Sequence, residues 1–372
     1  MAGMRVALVI TELDPGGAET CLVNLALHLK RNNHPVRVFS LGPAPQAGQT
    51  KLVDRLQQAG IEWFCGNARG TKDLWRVIRW LRTSLAEFNP DIVQSMLFHA
   101  NLVVALTGIH RQAQFLGGAR VRQPERIRGW LQKWASARMS KLVCVSHAVA
   151  ENIKICDRIP SDKLVVIPNG VEVTTCGATA QESRTLPTNA NTILFVGRLA
   201  PQKGVLPFIE QVPRLLEGSS ELQLVLVGDG PLANQLADHV QSLGQVRKQI
   251  SFAGWQPEPI EWMKGAGCLV LPALYEGMPN VVLEASSVAK PIVAFDVEGI
   301  REVLPIETQE YQLAAPGDWQ DFLAKVRYLM LNSIERNRIG EQNKAHVLAN
   351  FELHQQLDRY VQLYESVQQI KS

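Results

Sequence analysis

The sequence predicts an α/β protein built from two doubly wound parallel sheets. Three observations lead there. Short, continuous apolar runs alternate with segments whose apolar residues recur at helical spacing, the pattern of strands buried on both faces. This alternation breaks once, over residues 172–191, which are rich in Thr, Ala, Ser, Asn and Gln and carry no periodicity, and then restarts. The Gly-rich and charged loops follow strand-like runs, at the strand ends where open α/β sheets bind ligands.

The first set of strand-like runs is Val6–Ile10, Val36–Leu41, Ile61–Cys65, Ile92–Met96, Ala113–Leu116, Leu142–Val145 and Leu164–Ile167. Helical spacing over Thr20–Lys30 and Leu74–Glu87 supplies two of the crossovers. The second set is Ile193–Val196, Leu222–Val227, Ile250–Phe252, Cys268–Leu271, Ile292–Phe295 and Tyr311–Leu313, with two or three closing helices from Asp318 onward. A chain of 372 residues has room for two such domains.

Composition narrows the class. Hydrophobic content is 46% and charged content 20%, as in globular proteins, and a net charge of +3 is too small to suggest a nucleic-acid binder. No apolar stretch approaches the ~18–20 residues of a membrane span. The start, Met1 through Glu12, reads as a first buried strand and not as a signal peptide. The six cysteines are scattered without a C-x-x-C pair, which suits a reducing, cytoplasmic compartment.

The most informative stretch is Pro272 through Ala285. It follows the run Cys268–Leu271, places Glu276 in a Gly- and Pro-containing loop, and places Glu284 in the helix that the loop starts. Pro279 suits a first helical turn, and the N–H groups beyond it form an anion site. Two carboxylates beside such a site fit a ligand that carries both phosphate and hydroxyl groups, although acidic residues near a helix start also complement its dipole. In Val196 through Gly204, Arg198 and Lys203 flank a turn and can hold a diphosphate. Gly228 and Gly230 keep the next strand end bare, for a base, a ribose or simply a tight turn. Phe252-Ala-Gly254-Trp255 offers backbone groups, with Trp255 either stacking or buried. Gly16 and Gly17 open the first helix, and Asn169-Gly170 turns the chain out of the first domain.

In this order the loops resemble glycosyltransferase family 4. The matching residues are Pro15 through Glu19, Val145-Ser146, Ile167 through Val171, Val196 through Leu199 with Lys203-Gly204, Val227 through Leu232, Phe252 through Gly254, and Glu276 separated from Glu284 by seven residues. The resemblance implies a GT-B fold, two Rossmann-like domains facing a central cleft. It implies an acceptor domain over 1–185, a nucleotide-sugar donor domain over 186–351, and a last helix, 352–372, returning to the first domain. It also implies retaining transfer of a hexose from a nucleoside-diphosphate sugar, with no cofactor and no metal. Gly17, Gly228, Gly254, Gly277, Met278, Pro279, Asn280 and Glu284 are the implied donor contacts. Glu276, Arg198 and Lys203 are the implied catalytic set. The sequence lacks Asp-x-Asp, the motif on which GT-A enzymes usually hold a metal.

The acceptor side departs from the family pattern. Where many relatives carry a histidine, Gly117 through Arg122 offers arginines, so His99, Arg120 and Arg122 are the acceptor-side candidates. Between Arg111 and Lys141 lie eight basic residues against one acid, with Trp130 and Trp134 one turn apart. That segment suits an anionic membrane surface, a phosphorylated or lipid-diphosphate acceptor, or a solvated helix with one packed aromatic face. Three functions stay open. One is extension of a polysaccharide, lipopolysaccharide or lipid-linked sugar by a cytoplasmic enzyme, peripheral on the inner face of the cytoplasmic membrane. The second is a GT-B enzyme with a small soluble acceptor, or an epimerase. The third is a sugar-nucleotide binder without catalysis, which the complete set Glu276, Glu284, Arg198 and Lys203 argues against.

Overall fold

A computed structural model describes residues 3–121, 126–172 and 188–369. Arg122, Cys176 and most of the linker stretch 172–191 therefore lie outside the described residues. The chain forms two compact units, Met1–Gly170 with Leu353–Ser372, and Val171–Glu352.

The first unit holds a seven-stranded parallel sheet. Its strands are β1 (Val6–Ile10), β2 (Val36–Ser40), β3 (Glu62–Cys65), β4 (Ile92–Ser95), β5 (Gln114–Ala119), β6 (Lys141–Cys144) and β7 (Leu164–Val166), in the order β3-β2-β1-β4-β5-β6-β7. Val6 of β1 sits level with Val36 on one side and Ile92 on the other. All five residues of β1 are buried, which is why it reads as an unbroken apolar run. One face of the sheet is covered by helices Gly17–Arg31, Lys51–Gln58 and Leu353–Gln369, whose Leu22, Leu25, Leu56, Leu357 and Tyr364 share one core. Helices Leu74–Phe88, Phe98–Thr107 and Arg126–Ser136 pack side by side and cover the other.

The second unit holds a six-stranded parallel sheet. Its strands are β8 (Thr192–Val196), β9 (Gln223–Val227), β10 (Ile250–Gly254), β11 (Cys268–Leu271), β12 (Ile292–Phe295) and β13 (Leu313–Ala314), in the order β10-β9-β8-β11-β12-β13. Each sheet thus reverses strand order once, beside β1 in the first and beside β8 in the second. Two helices leaving such a point go to opposite faces, so the loops above it diverge and leave room for a ligand.

Several strand boundaries differ from the sequence reading, and two of the differences have a clear physical cause. Gly117, Gly118 and Ala119 belong to β5 and not to a loop after it: they pair with Leu142, Val143 and Cys144. Their small size reflects crowding within the sheet. A methyl group at Gly117 would lie 2.4 Å from Met139 Sδ, and one at Gly118 2.9 Å from the Ser95 carbonyl. Tyr311 lies in a short helix, Gln309–Gln312, and only Leu313–Ala314 forms the last strand. Gln312 causes this. Its buried amide accepts hydrogen bonds from the Ile292 N–H (2.8 Å) and Asn343 Nδ2 (2.8 Å), which ends the helix against the sheet edge.

The C-terminal helix is fixed to the first unit by Tyr364. Its ring is fully buried and its hydroxyl donates to Gln94 Oε1 of β4 at 3.3 Å. Replacing Tyr364 with Ala is expected to destabilise the unit by about 3–5 kcal/mol, and with Phe by about 1 kcal/mol. Urea unfolding of the two variants checks this; equal losses would show that the hydroxyl, and not the buried ring, holds the helix.

Candidate active site

The site in the second unit is assembled by the strand reversal at β8 and β11. These neighbouring strands pair Cys268 with Ile193 and Leu269 with Leu194, so their following loops leave the sheet side by side. The β8 loop makes one helical turn, Pro201–Lys203, before the helix Val205–Leu216. The β11 loop carries Glu276 and leads into the helix Asn280–Ser287, with Pro279 as its cap residue, one position earlier than a first-turn proline.

The two loops are tied backbone to backbone. The Leu274 N–H donates to the Gln202 carbonyl at 2.9 Å, and Gln202 Nε2 donates to the Tyr275 carbonyl at 3.1 Å. Gly204 makes the contact possible. It sits at φ +63°, and a methyl group there would lie 1.9 Å from the Pro272 carbonyl oxygen. This clamp sets Lys203 Nζ on Glu276 Oε1 in a direct ion pair. Glu276 is 6% exposed, and a carboxylate so buried needs a partner or protonates. Lys203 provides one while keeping 21% of its side chain in solvent. Met278 is buried beside the loop, and Glu284 is half-buried in the second turn of the helix. Arg198, by contrast, is exposed and makes no ion pair among the described residues.

The glycines of the β9 loop have a packing reason. Gly228 lies against the β8 loop, where a methyl group would come within 1.9 Å of the Gly197 carbonyl oxygen, and its N–H donates to the Gly254 carbonyl at 2.8 Å. The Leu199 N–H donates to the Asp229 carbonyl (2.9 Å), and the Leu232 N–H to the Leu199 carbonyl (2.9 Å). The loops after β8, β9 and β10 are thereby locked together at one end of the sheet. Gly254 itself has open space around its Cα, and Trp255 beside it is 41% exposed, so the ring stands at the surface and is not part of a core. Gln202 was not visible as a site residue in the sequence. Its one signal is its place beside Lys203.

In the first unit the same strand-end logic gathers a second set. Gly17 begins the helix Gly17–Arg31, with Gly16 as its cap. Glu19, in the first turn, folds back so that its Oε2 occupies the space a side chain at Gly16 would need, 2.3 Å from that position. Glu19 is 8% exposed, and burial raises its pKa to about 7 against the opposing pull of its own N–H, with Glu12 adding to the rise and Arg120 reducing it. Arg120 follows β5 and points inward. Nη1 donates to Asn169 Oδ1, and Nη2 contacts Met96 Sδ at 3.5 Å. Asn169 also accepts from Cys21 Sγ at 3.5 Å, so the turn Asn169-Gly170 anchors Arg120 as well as redirecting the chain.

A small cavity opens beside Arg120, lined by Leu97, Phe98, Asn101, Arg120, Arg128 and Gln132. Asn101 forms its floor, with Nδ2 donating to the Gly118 carbonyl at 3.0 Å and Oδ1 accepting from Ser95 Oγ at 2.6 Å. Gln132 is 7% exposed, yet its Nε2 has no hydrogen-bond partner among the described residues. A buried donor of this kind is a place for a ligand oxygen. His99 lies in the first turn of helix Phe98–Thr107, its ring against Phe98, with a pKa lowered by partial burial and by Arg128. Neither Gln132 nor Glu19 was among the residues chosen from sequence, since a Gln in a helix and a Glu in a first turn are ordinary there.

Two parallel-sheet Rossmann-like units, with a cation–carboxylate pair at one strand reversal and a helix start beside it, define a GT-B-class protein. The profile of glycosyl transferases group 1 matches residues 178–346, and that of Glycosyltransferase Family 4 matches residues 15–175. The chain belongs to this family. It is 31% identical over 181 residues to the Escherichia coli UDP-Gal:α-D-GlcNAc-diphosphoundecaprenol α-1,3-galactosyltransferase, a segment covering 46% of each chain. It is 25% identical over 225 residues to the lipopolysaccharide core biosynthesis glycosyltransferase LpsE of Rhizobium meliloti, covering 60% of this chain and 64% of that one. The chain thus spans about half the length of the curated relatives it matches. Among solved structures, Anabaena HepE in complex with UDP-glucose superposes with a TM-score of 0.83 at 17% identity, over 98% of this chain and all of that one.

Two outcomes follow. Lys203→Met strands Glu276 in a low-exposure site and is expected to destabilise the second unit by about 2–3 kcal/mol, below the ~3–5 of a fully buried pair because Lys203 keeps solvent contact. The double variant Lys203→Met with Glu276→Gln should recover most of that loss in urea unfolding; additive losses would refute the pairing. Glu19 binds its proton more tightly folded than unfolded. Its contribution is therefore complete below about pH 4.5 and is lost as pH rises through about 7. Glu19→Gln should match wild type near pH 4.5 and be more stable by roughly 2–3 kcal/mol at pH 8; parallel pH profiles for the two proteins would rule this out.

Proposed function

We propose that the protein transfers a hexose from a nucleoside-diphosphate sugar to a glycan or lipid-linked acceptor, with retention of configuration and without a metal ion. Assembly of a cell-surface polysaccharide or lipopolysaccharide is the process this fits. The observation that carries the reading is the Lys203–Glu276 pair, set by the β8 and β11 loops beside a helix start, with the exposed Arg198 on the same β8 loop.

In this reading Lys203, Arg198 and the first N–H groups of helix Asn280–Ser287 receive the diphosphate. As the bond from the sugar to the β-phosphate oxygen breaks, negative charge grows on the diphosphate, and fixed donors stabilise it at the moment it appears. They supply the charge that a metal ion supplies in other transferases. The acceptor hydroxyl attacks from the face the leaving group vacates, and its proton passes to the departing phosphate oxygen. Glu276 orients Lys203 and faces the sugar, and Glu284 takes the ribose hydroxyls. Family membership supports retention, and the donors of the E. coli relative and of the Anabaena complex support a UDP-sugar.

We assign the acceptor to the first unit, where Arg120, Arg128 and Gln132, whose Nε2 has no partner among the described residues, line the cavity at the ends of β4 and β5, and His99 lies in the first turn of the helix after β4. These groups suit a phosphorylated or hydroxyl-rich ligand. A lipid-linked acceptor calls for work at a membrane surface, at the inner face of the cytoplasmic membrane in this reading. The reading takes this contact as peripheral; no helix among the described residues is long and apolar enough to cross a membrane.

Turnover of UDP-, GDP- and ADP-sugars in EDTA, with and without lipid extract, tests the proposal. One nucleoside diphosphate should be released. Arg198→Ala and Lys203→Ala should each lower kcat by roughly 10²–10³-fold, as for loss of a transition-state donor, while Glu284→Ala should act mainly on KM. Turnover that needs an added divalent ion, or inversion at the anomeric carbon, would overturn the corresponding part.

A further inference from the structure

The structure redirects attention from the basic segment 111–141 to another helix. Within that segment four of the described cations are already engaged. Arg120 is tied to Asn169, Arg128 lies 4.3 Å over the Phe98 ring, Arg138 lies 3.7 Å over Trp134, and Lys141 donates to the Asp162 carbonyl. Those four add little to a basic face, and Ile127 and Trp130 stand 76% and 66% exposed on the segment.

Helix Leu74–Phe88 does present one. Its inner face, Val77, Ile78, Leu81, Leu85 and Phe88, is buried against the first sheet. Its outer face runs Trp75, Arg79, Arg82, one residue per turn, and Lys72 extends that stripe from the preceding turn. Trp75 is 77% exposed, and Lys72, Arg79 and Arg82 are all exposed. Among the described residues neither arginine has an acidic partner. The positions three and four residues from Arg79 and Arg82 hold Trp75, Arg76, Thr83, Ile78, Leu85 and Ala86, and Arg79 and Arg82 are also three apart. Elsewhere four helix cations are paired with an acid one turn away: Lys154 with Glu151, Lys264 with Glu261, Lys325 with Asp321 and Arg338 with Glu335. Arg76 is the exception on this helix. It is held by Asp73 and by the Gly66 and Asn67 carbonyls, which leaves the outer stripe to Trp75, Arg79, Arg82 and Lys72.

A row of like charges spaced one turn apart weakens a helix, and an indole in water gains nothing from folding. Both features are accounted for by a surface that is negative and apolar at one level. We propose that the outer face of helix Leu74–Phe88 docks on an anionic lipid bilayer, with Trp75 at the headgroup level and Lys72, Arg79 and Arg82 on the lipid phosphates. Charge complementarity fixes the partner, and the indole distinguishes a bilayer from a merely acidic macromolecule, because tryptophan favours the interface where one end is apolar and the other wet. Helices Phe98–Thr107 and Arg126–Ser136 pack beside it in the same layer and add Leu106, Ile127 and Trp130 as further exposed apolar groups. The docking rests on this face alone. Only its purpose, bringing the first unit to a lipid-linked acceptor, depends on the function proposed above.

The test is co-sedimentation of the full chain with vesicles of phosphatidylcholine alone and with 30% phosphatidylglycerol, with donor-sugar turnover measured separately in the absence of lipid. Binding is expected only with phosphatidylglycerol and should weaken as salt screens the charges. A basic side chain near an anionic surface contributes about fivefold in affinity, so Arg79→Glu with Arg82→Glu should lower binding by more than tenfold, and Trp75→Ala by severalfold. Lipid-free donor turnover and the thermal unfolding midpoint of these surface variants should stay at the wild-type level. The proposal is overturned by any of four results: no vesicle binding, equal binding to neutral vesicles, undiminished binding by the double variant, or stronger retention on RNA or an acidic polypeptide than on phosphatidylglycerol. Donor turnover that persists while vesicle binding fails would remove the docking face and leave the transferase reading intact.

Discussion

The pairing of Lys203 with Glu276 is the interaction around which the second unit's site is organised. Neither residue is stable there alone. A carboxylate buried to the extent of Glu276 requires a cation, and a lysine on a flexible stem requires something to hold it at the end of a strand. What brings them together is the reversal of strand order between β8 and β11, which sends two consecutive loops out of adjacent strands. Gly204, resting on the Pro272 carbonyl, sets the distance between those loops, and the Gln202–Leu274–Tyr275 hydrogen bonds hold them at it. A cation fixed in this way before a diphosphate arrives needs no reorganisation when negative charge develops, which is the condition under which electrostatic stabilisation is most effective.

The first unit solves a related problem with a different device. Here the strand-end cation is Arg120, and its partner is the neutral Asn169 side chain, with the carboxyl of Glu19 nearby. Glu19 is tucked into space that exists only because residue 16 is a glycine, and its burial moves its titration close to neutrality. The two units therefore share a topology but differ in electrostatics. One holds a preformed ion pair, and the other holds an arginine among neutral groups and a carboxyl that titrates near pH 7.

The outward faces divide in the same way. Several basic residues on helices, among them Lys154, Lys264 and Arg338, are matched by an acid one turn away. Helix Leu74–Phe88 lacks such pairing at Arg79 and Arg82 among the described residues, while its inner face is buried. An amphipathic helix whose outer face is itself divided between an aromatic ring and unpaired cations has features that folding alone does not demand.

Much of this was legible from residues alone. Strands buried on both faces appear as continuous apolar runs, so β1, β11 and β12 begin and end where the pattern places them. The loops bearing Arg198, Lys203 and Glu276, and the helix bearing Glu284, were legible as elements too, because each loop follows directly on an apolar run. Tertiary structure decided what depends on neighbours distant in sequence. Gly117 and Gly118 look like a loop until Met139 and the Ser95 carbonyl are seen pressing on a strand. Gly228 looks like room for a base until the Gly197 carbonyl is found in that space. Arg120, Arg128, Arg138 and Lys141 look like members of one patch until a side-chain amide, ring faces and a carbonyl claim them singly, whereas Trp75, Arg79 and Arg82 look scattered until the helix aligns them. A sequence records which groups are present and their local period. Whether a charge or a glycine is already used by a partner is a property of packing, and it appears only when the chain has folded.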